Sequence, residues 1–158
     1  NLENPKEQIQ AAISVLKTLP HSQLQATSPL YQSTPAGVAM QPNYYNAVVC
    51  LQTRLPPTQL LKHCMRIEAQ QKRTRLKRWG ARTLDIDILL YGTQTIQHPD
   101  LSIPHPRMHQ RDFVLVPLLN IWPEAKLPDG TCLNHCLQML ETRYIKHEVR
   151  NDTETADI

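Results

Sequence analysis

The sequence predicts an α+β domain in which two amphipathic helices alternate with strands. Two observations carry the prediction. Apolar residues recur at helical spacing in two segments, and the segments between and after them have the composition of strands. The chain has 158 residues, enough for a single domain with one core. We expect that domain to span residues 1–147 and the polar, acidic residues 148–158 to form a disordered tail.

The first helix is predicted to begin after Asn4. Asn is a preferred N-cap, Pro5 suits the first helical position, and Glu7 stands three residues after the cap. The helix should end near Pro20, and its apolar positions are Ile9, Ala12, Ile13 and Leu16.

Two strands follow this helix and are expected to pair as a hairpin-like unit. The first covers about residues 23–31, where Pro29 indicates an edge or a bulge because proline cannot donate a hydrogen bond to a sheet. The second covers about residues 45–54. A second helix then opens at Pro56-Pro57-Thr58 and should fade near Lys72, with inward positions Leu60, Leu61, Cys64 and Ile67.

The remaining segments are a basic loop, a third strand with Asp85 and Asp87, a turn at Tyr91-Gly92, a proline-rich stretch and a last helix near residues 133–143. The order helix, strand, strand, helix, strand predicts a ferredoxin-like βαββαβ sandwich with C-terminal additions and without its first strand. That strand would be central, and its loss would leave buried backbone groups unpaired at roughly 1 to 3 kcal/mol each. We therefore expect a further N-terminal stretch before Asn1.

Composition and charge argue against several classes of protein. The net charge of +3 is mild, although six cations fall within residues 72–82 and indicate an anionic partner for one face. The four cysteines form no C-x-x-C pair and are expected to be buried free thiols in a reducing cytosol. No membrane-spanning stretch or signal peptide is visible, and we expect a cytoplasmic protein.

Asp85 and Asp87 are the strongest candidates for a metal site. In a strand their side chains share one face, while Leu84, Ile86 and Ile88 bury on the other. The carboxylates would lie roughly 7 Å apart and repel by roughly 2 kcal/mol, which favours a cation between them. Hard oxygen ligands suit Mg²⁺, whose remaining positions are taken by water and substrate phosphates. The alternative is that both residues only occupy the wet face of a half-buried strand.

Residues 78–88 resemble a family signature. They read Arg-Trp-Gly-Ala-Arg-Thr-Leu-Asp-Ile-Asp-Ile, which is similar to the pattern R-W-G-x-R-x-L-D-[LI]-D-[LIVM] of the 6-hydroxymethyl-7,8-dihydropterin pyrophosphokinases, enzymes of folate biosynthesis. The resemblance extends from Asn1 to about Arg143. It includes Tyr31-Gln32-Ser33-Thr34-Pro35, Asn43-Tyr44-Tyr45-Asn46-Ala47, Arg66-Ile67-Glu68, Ile103-Pro104-His105-Pro106-Arg107-Met108, Arg111-Asp112-Phe113 and Leu127-Pro128-Asp129-Gly130.

The resemblance implies a magnesium-dependent transferase in which the pterin hydroxyl attacks the β-phosphorus of ATP and AMP leaves. Asp85 and Asp87 would hold two Mg²⁺ ions, and Arg82 and Arg73 would act with them in catalysis. The partners would be ATP and 6-hydroxymethyl-7,8-dihydropterin, with no nucleic acid and no membrane. The residues expected at ATP are Glu68, Arg75, Arg82, Ile88, Ser102, His105 and Arg111. On chemistry alone, a solvated helix face is the alternative for Glu68, and a structural role is the alternative for His105.

The resemblance also implies a pterin pocket. A flat heteroaromatic ring favours aromatic faces on both sides, which Tyr44 and Phe113 would provide, and the amide of Asn46 would bind its edge. Core packing is the alternative for both aromatic residues. The full set expected at the pterin is Ser33, Thr34, Ala36, Tyr44, Asn46, Trp79 and Phe113. The basic loop from Lys72 to Ala81 is expected to be a mobile lid that becomes ordered over both substrates.

Functions of other classes remain as alternatives. The four glycines are scattered, which excludes a P-loop kinase. An RNA-binding ferredoxin-like module would need exposed stacking aromatics in a characteristic string, which the sequence lacks, and Asp85 and Asp87 would repel a phosphate backbone. The simplest remaining alternative is a structural or interaction domain without metal.

Overall fold

The computed structural model describes residues 5–34, 44–77 and 84–149, which form helices and antiparallel strands. The prediction of an α+β protein is confirmed. The elements are α1 (Pro5–Leu16), β1 (Ser22–Thr27), β2 (Leu30–Ser33), β3 (Tyr44–Asn46), β4 (Val49–Thr53), α2 (Pro57–Lys77), β5 (Ile96–His98), β6 (Leu101–Ile103), a short 3₁₀ helix (Met108–Gln110), α3 (Asp112–Ile121), α4 (Leu133–Met139) and β7 (Ile145–Val149).

The described strands form three small antiparallel sheets. β1 pairs with β4, β2 lies between β3 and β7, and β5 pairs with β6. The turn predicted at Tyr91-Gly92 is present, and Gly92 has a φ of 57°, a backbone conformation that favours glycine. β5, β6 and β7 are absent from the sequence prediction, because strands this short give little periodic signal.

Each strand of the predicted hairpin-like unit is divided in two. Residues 23–31 contain most of β1 and the start of β2, and residues 45–54 contain part of β3 and all of β4. The two halves of each predicted strand therefore belong to different sheets. At the break, the Ser28 N–H donates to the Val48 carbonyl (2.8 Å) and the Val48 N–H donates to Ser28 Oγ (2.9 Å). Pro29 follows and lacks an N–H, which accounts for the interruption predicted there.

The first core lies between α1 and α2. α1 begins at Pro5 as predicted and ends at Leu16, earlier than the predicted limit at Pro20. Its buried residues meet the buried face of α2, and the outer sides of this core are covered by β4 and by residues 84–91. The core cluster consists of Ala12, Leu16, Leu19, Leu55, Leu60, Cys64 and Ile67.

Helix α2 is longer than predicted. It was expected to fade near Lys72 but continues to Lys77, because Lys, Arg and Leu dominate this stretch and are strong helix formers. The first part of the predicted mobile lid, up to Lys77, is therefore helical. Residues 78–81, which complete the predicted lid, lie outside the described residues.

The second core contains a helix that the sequence prediction missed. α3 includes Pro117, and a proline inside a helix removes one hydrogen bond and normally costs about 3 kcal/mol or more. Packing overrides this cost, since Leu115 and Leu133 of α3 and α4 are fully buried in the same cluster. α4 ends at Met139, short of the predicted limit near residue 143.

The third predicted strand is wrong as a strand. Residues 84–90 have no ladder partner among the described residues, and a strand is stabilised by such a ladder. Their backbone instead makes single hydrogen bonds to other segments. The Ile86 N–H donates to Glu68 Oε2, and the Leu89 carbonyl accepts the His105 N–H.

The cysteines and the C-terminal boundary differ in part from expectation. All four cysteines are free thiols, but only Cys64 is buried, while Cys50 and Cys132 are exposed. Cys50 lies on the outward side of β4, whose residues alternate in burial. β7 extends paired structure to Val149, past the expected boundary at residue 147. Residues 150–158 lie outside the described residues.

In the described part of the chain, no helix is both long enough and apolar enough to cross a bilayer.

Candidate active site

The acid pair lies at the surface above the first core. Asp85 and Asp87 are exposed, while Leu84, Ile86 and Ile88 are partly buried and pack against the core of α1 and α2. The predicted division into an acidic face and an apolar face is therefore present, although the segment is not a paired strand. Apolar anchoring on one side leaves both carboxylates free to face solvent or a ligand.

A third carboxylate supports this segment from α2. Glu68 is half-buried, and its Oε2 accepts a hydrogen bond of 2.6 Å from the Ile86 N–H, between the two acids. Burial raises the pKa of Glu68, the Ile86 N–H lowers it, and the charges of Asp85 and Asp87 raise it. Partial burial of its carboxyl group, with the charge of Asp87, also raises the pKa of Asp85. The three carboxylates thus form one negative region.

His105 brings a second segment to the acid pair. Its backbone N–H donates to the Leu89 carbonyl (2.9 Å), and its Nε2 lies 4.0 Å from Asp87 Oδ2. Nδ1 accepts the Arg107 N–H (3.2 Å), so the proton of the neutral ring is assigned to Nε2, on the side of Asp87. Burial lowers the pKa of His105, with opposing effects from Asp87, which raises it, and from Arg111 and Arg107, which lower it.

Arg111 connects the acidic region to an aromatic region. Its charge acts on His105, and its guanidinium carbon lies 5.7 Å from the centre of the Phe113 ring. Phe113 lies on the first turn of α3 and is partly buried. Its ring meets the edge of Tyr144 with centroids 6.3 Å apart and an interplanar angle of 66°.

The aromatic region continues into the sheet of β2 and β3. Ser33 pairs with Tyr44 and is almost fully buried, while 43% of Tyr44 is exposed, so Tyr44 is not a core residue. Asn46 Oδ1 is buried and has no hydrogen-bond partner within the described residues. A buried acceptor without a partner is costly, which suggests that a ligand satisfies it.

Thr34, directly after β2, bonds to the residue that contacts Phe113. Its N–H and Oγ1 both donate to the Tyr144 carbonyl, at 2.9 and 3.3 Å. Contacts and charge interactions therefore link the acid pair, His105, Arg111, Phe113 and the pocket residues. Tyr144 is absent from the sequence prediction, because its contacts depend on pairing with distant residues and no local motif marks it.

Two predicted nucleotide residues lie in different surroundings. Ile88 packs against the first core, on the apolar face that the alternation of residues 84–88 predicts. Ser102 is exposed on β6 and lines a surface cavity of about 520 Å³ together with His98 and Pro106. This cavity lies along the β5–β6 hairpin and continues to Pro106, the neighbour of His105.

Four arginines and two further residues complete the predicted set. Arg73 lies in α2 rather than in a loop, and its guanidinium donates to Gln70 Oε1 (2.6 Å). Arg75 lies in the last part of the same helix. Arg111 lies directly before α3, next to Asp112. Arg82, Trp79 and Ala36 lie outside the described residues.

Comparison with known proteins identifies the family. The family model described as 7,8-dihydro-6-hydroxymethylpterin-pyrophosphokinase (HPPK) matches residues 1–123. The chain belongs to the HPPK family. The family prediction from residues 78–88 and the associated motifs is therefore confirmed.

Curated HPPK relatives cover most of the chain. The 2-amino-4-hydroxy-6-hydroxymethyldihydropteridine pyrophosphokinase of Pseudomonas aeruginosa is 49% identical over 137 residues, covering 87% of this chain and 85% of the relative. The protein of the same name from Haemophilus influenzae is 45% identical over 147 residues, covering 92% of each. The folic acid synthesis protein fol1 of Schizosaccharomyces pombe is 36% identical over 128 residues, which span 81% of this chain and 18% of that protein.

The side chains of this HPPK suit a metal held jointly with a substrate. In the described residues, no group of three or more His, Cys, Asp or Glu is arranged to hold a metal ion. Two exposed carboxylates remain, and Mg²⁺ is commonly bound by one or two carboxylates plus substrate phosphates. Burial and then the charge of Asp87 raise the pKa of Asp85, and a divalent cation beside the pair would favour the ionised carboxylates.

Proposed function

We propose that this protein transfers the pyrophosphoryl group of ATP to 6-hydroxymethyl-7,8-dihydropterin, giving the pterin diphosphate and AMP, in folate biosynthesis. Membership of the HPPK family and the names of its curated relatives support this activity. The observation that carries it to individual residues is the series of contacts and charge interactions from Asp87 through His105 and Arg111 to Phe113. The series connects a site for a metal and phosphates to a site for an aromatic ring.

Asp85 and Asp87 would hold Mg²⁺, which we propose to be two ions. When bound, Mg²⁺ neutralises the triphosphate and makes its phosphorus more open to attack. Glu68 holds the segment between the two acids through the Ile86 N–H, so that both carboxylates face outward. The exposed position of the acids leaves room for phosphate oxygens to complete the coordination.

The nucleotide would lie along His105 and the β5–β6 hairpin. The Nε2–H of His105 can donate to a phosphate oxygen, and Arg111 adds positive charge beside it. Ser102 lines the adjoining cavity, where the adenosine portion would be bound. Arg82 and Arg73 belong to the same proposal as charge-stabilising residues, together with Arg75 at the nucleotide. Catalysis would rest mainly on positioning and charge neutralisation.

The pterin would bind between Tyr44 and Phe113. The exposed ring of Tyr44 offers one face and the partly buried ring of Phe113 offers the other. Asn46 Oδ1 would accept a hydrogen bond from the N–H groups along the pterin edge, which satisfies its buried acceptor. Ser33, Thr34, Ala36 and Trp79 are proposed to line the same pocket.

The ferredoxin-like arrangement is also a proposal. Val49 and Leu51 of β4 and the apolar residues of the 84–90 segment pack against the same core. We propose that this segment and the sheet of β1 and β4 form one layer of a ferredoxin-like sandwich, with α1 and α2 packed against it. Free thiols at Cys50 and Cys132 support a reducing, cytoplasmic location.

Calorimetric titration tests the proposed function. The α,β-methylene analogue of ATP cannot be cleaved at the bond that this reaction breaks, so binding is measured without turnover. We expect Mg²⁺-dependent binding of the analogue, followed by binding of the dihydropterin. Asp87→Asn should weaken the Mg²⁺-dependent part, while Glu124→Gln, an exposed carboxylate elsewhere, should not. Binding of an RNA oligonucleotide without Mg²⁺-dependent nucleotide binding would instead support the RNA-binding alternative, which the comparisons do not favour.

A further inference from the structure

Asp112 is a fully buried carboxylate between two residues of the proposed site. It lies on the first turn of α3, with Arg111 before it and Phe113 after it, and has no exposed surface. Its Oδ2 accepts two backbone N–H groups, from Tyr144 at 2.9 Å and from Ile145 at 2.8 Å. Its Oδ1 has no partner among the described residues.

Burial of a carboxylate is unfavourable unless its hydrogen bonds compensate for lost hydration. Two amide donors on one oxygen give partial compensation, and the other oxygen has none in the described residues. An apolar side chain would fill the same space without this cost. Hydrogen bonds are directional, so, unlike an apolar contact, they fix the orientation of the Tyr144–Ile145 backbone relative to α3.

The segment fixed by Asp112 contacts both sides of the proposed pterin pocket. The Tyr144 carbonyl accepts the N–H and the Oγ1 of Thr34, at the end of β2. The Tyr144 ring meets Phe113 edge to face. Ile145 begins β7, which pairs with β2, and β2 pairs on its other side with β3, the strand of Tyr44 and Asn46.

We propose that Asp112 is a positioning residue for the pterin pocket. Through Tyr144 it holds Phe113 at a fixed separation from Thr34 and the β2–β3 sheet. The gap between the two sides of the pocket then stays wide enough for one pterin ring. This inference rests on the proposed function, because it assumes that the pocket between Tyr44 and Phe113 binds the pterin. It assigns a role to β7, which carries no residue of the predicted site.

Asp112→Asn tests the inference with the smallest change of shape. The amide keeps one acceptor oxygen but lacks charge and places an NH₂ group in the buried site. The amide oxygen can still accept both N–H groups, but both hydrogen bonds become weaker without the negative charge, and dihydropterin binding should weaken by about 10-fold or more. Binding of the α,β-methylene ATP analogue should stay within about 2-fold, because Asp112 bonds to the backbone of Tyr144 and Ile145 and, apart from Arg111, the proposed nucleotide contacts lie on other segments. The KM for the pterin should rise while kcat at saturating pterin changes less than about 3-fold.

The matched control is Asp129→Asn. Asp129 Oδ1 also accepts two hydrogen bonds, from the Thr131 N–H and Oγ1, but it lies in an exposed turn without a residue of the proposed site. The control should leave both affinities unchanged. If Asp112→Asn does not fold, Tyr144→Leu provides the test, since it removes the ring contact with Phe113 and keeps the backbone bonds. It should raise the pterin KM and leave analogue binding unchanged.

The outcomes separate this inference from the function on which it rests. If the parent protein binds no dihydropterin, the proposed function fails and the inference fails with it. If the parent binds but folded Asp112→Asn, or Tyr144→Leu in its place, binds the pterin as the parent does, only the inference is overturned. Equal weakening of pterin and nucleotide would also overturn it, because a general loss of structure affects both.

Discussion

Adjacent residues take opposite roles in the candidate active site. Asp85 and Asp87 face outward while Ile86 between them packs inward and donates its N–H to Glu68. Arg111 and Phe113 likewise flank a buried acid, Asp112. The alternation around Ile86 was predictable from sequence, because it follows from local backbone geometry. The support from Glu68 was not, since it joins residues 18 positions apart.

Removal of either acid of the pair should abolish most of the activity. We expect Asp85→Ala or Asp87→Ala to lower turnover by at least about 100-fold. Without one carboxylate the site would hold Mg²⁺ less well, and the negative charge on the transferred group would be less well neutralised. Thermal unfolding should change little, since both side chains are exposed. Steady-state kinetics with excess Mg²⁺ provide the measurement, with Glu141→Gln as the control. Turnover within a few-fold of the parent would exclude a metal-binding role.

The pterin pocket should respond to two separate changes. Phe113→Ala removes one ring face and Asn46→Ala removes the buried acceptor, so each should weaken pterin binding by roughly 1 to 3 kcal/mol. Binding of an ATP analogue should be nearly unchanged in both. Asn134→Ala, an exposed amide on α4, is the control for calorimetry. If both ligands weaken equally, these residues maintain the fold and do not select the pterin.

The cysteines should differ in reactivity. Burial raises the pKa of Cys64 to about 11, with smaller contributions from the charges of Glu68 and Asp87. A raised thiol pKa means that the reactive thiolate is scarce until the pH approaches that value. At pH 8 we expect iodoacetamide to modify the exposed Cys50 and Cys132 and to leave Cys64 unmodified, as mass spectrometry can determine. Rapid labelling of Cys64 in the folded protein would contradict its burial.

Among the elements, the amphipathic helices were the most predictable. α1 and α2 bury residues at helical spacing, so their starts and their inward faces follow from the sequence. α3 was missed because Pro117 disfavours a helix locally. Packing of α3 in the second core stabilises the helix in spite of this proline, and that packing is not visible in the sequence. The strand predicted for residues 84–90 was wrong because alternation gives a face but does not provide a pairing partner.

The second core should depend on α3 despite its proline. Leu115 is fully buried there, so Leu115→Ala should lower the free energy of unfolding by about 2 to 5 kcal/mol through lost burial and a cavity. Met139→Ala, at an exposed position of α4, should change it by less than about 0.5 kcal/mol. Urea denaturation measures both. Equal, small effects would indicate that α3 is not packed as described.

At the scale of the whole molecule, long-range contacts assemble the candidate active site. Asp87 meets His105, and Thr34 meets Tyr144 across 110 positions of the sequence. Neither contact is visible in the sequence, because each depends on how distant elements pack. The signature at residues 78–88 nevertheless predicted the family, which the family comparison confirmed. The residue types were thus predictable where a motif carries them, and their spatial links were not.

Product analysis tests the central claim most directly. The full chain is incubated with ATP, 6-hydroxymethyl-7,8-dihydropterin and Mg²⁺, and the products are identified by ³¹P NMR and mass spectrometry. Transfer of a pyrophosphoryl group predicts AMP and pterin diphosphate in equal amounts, with formation lost in Asp87→Ala. Formation of ADP with a pterin monophosphate, or no pterin-dependent release of AMP, would contradict the account.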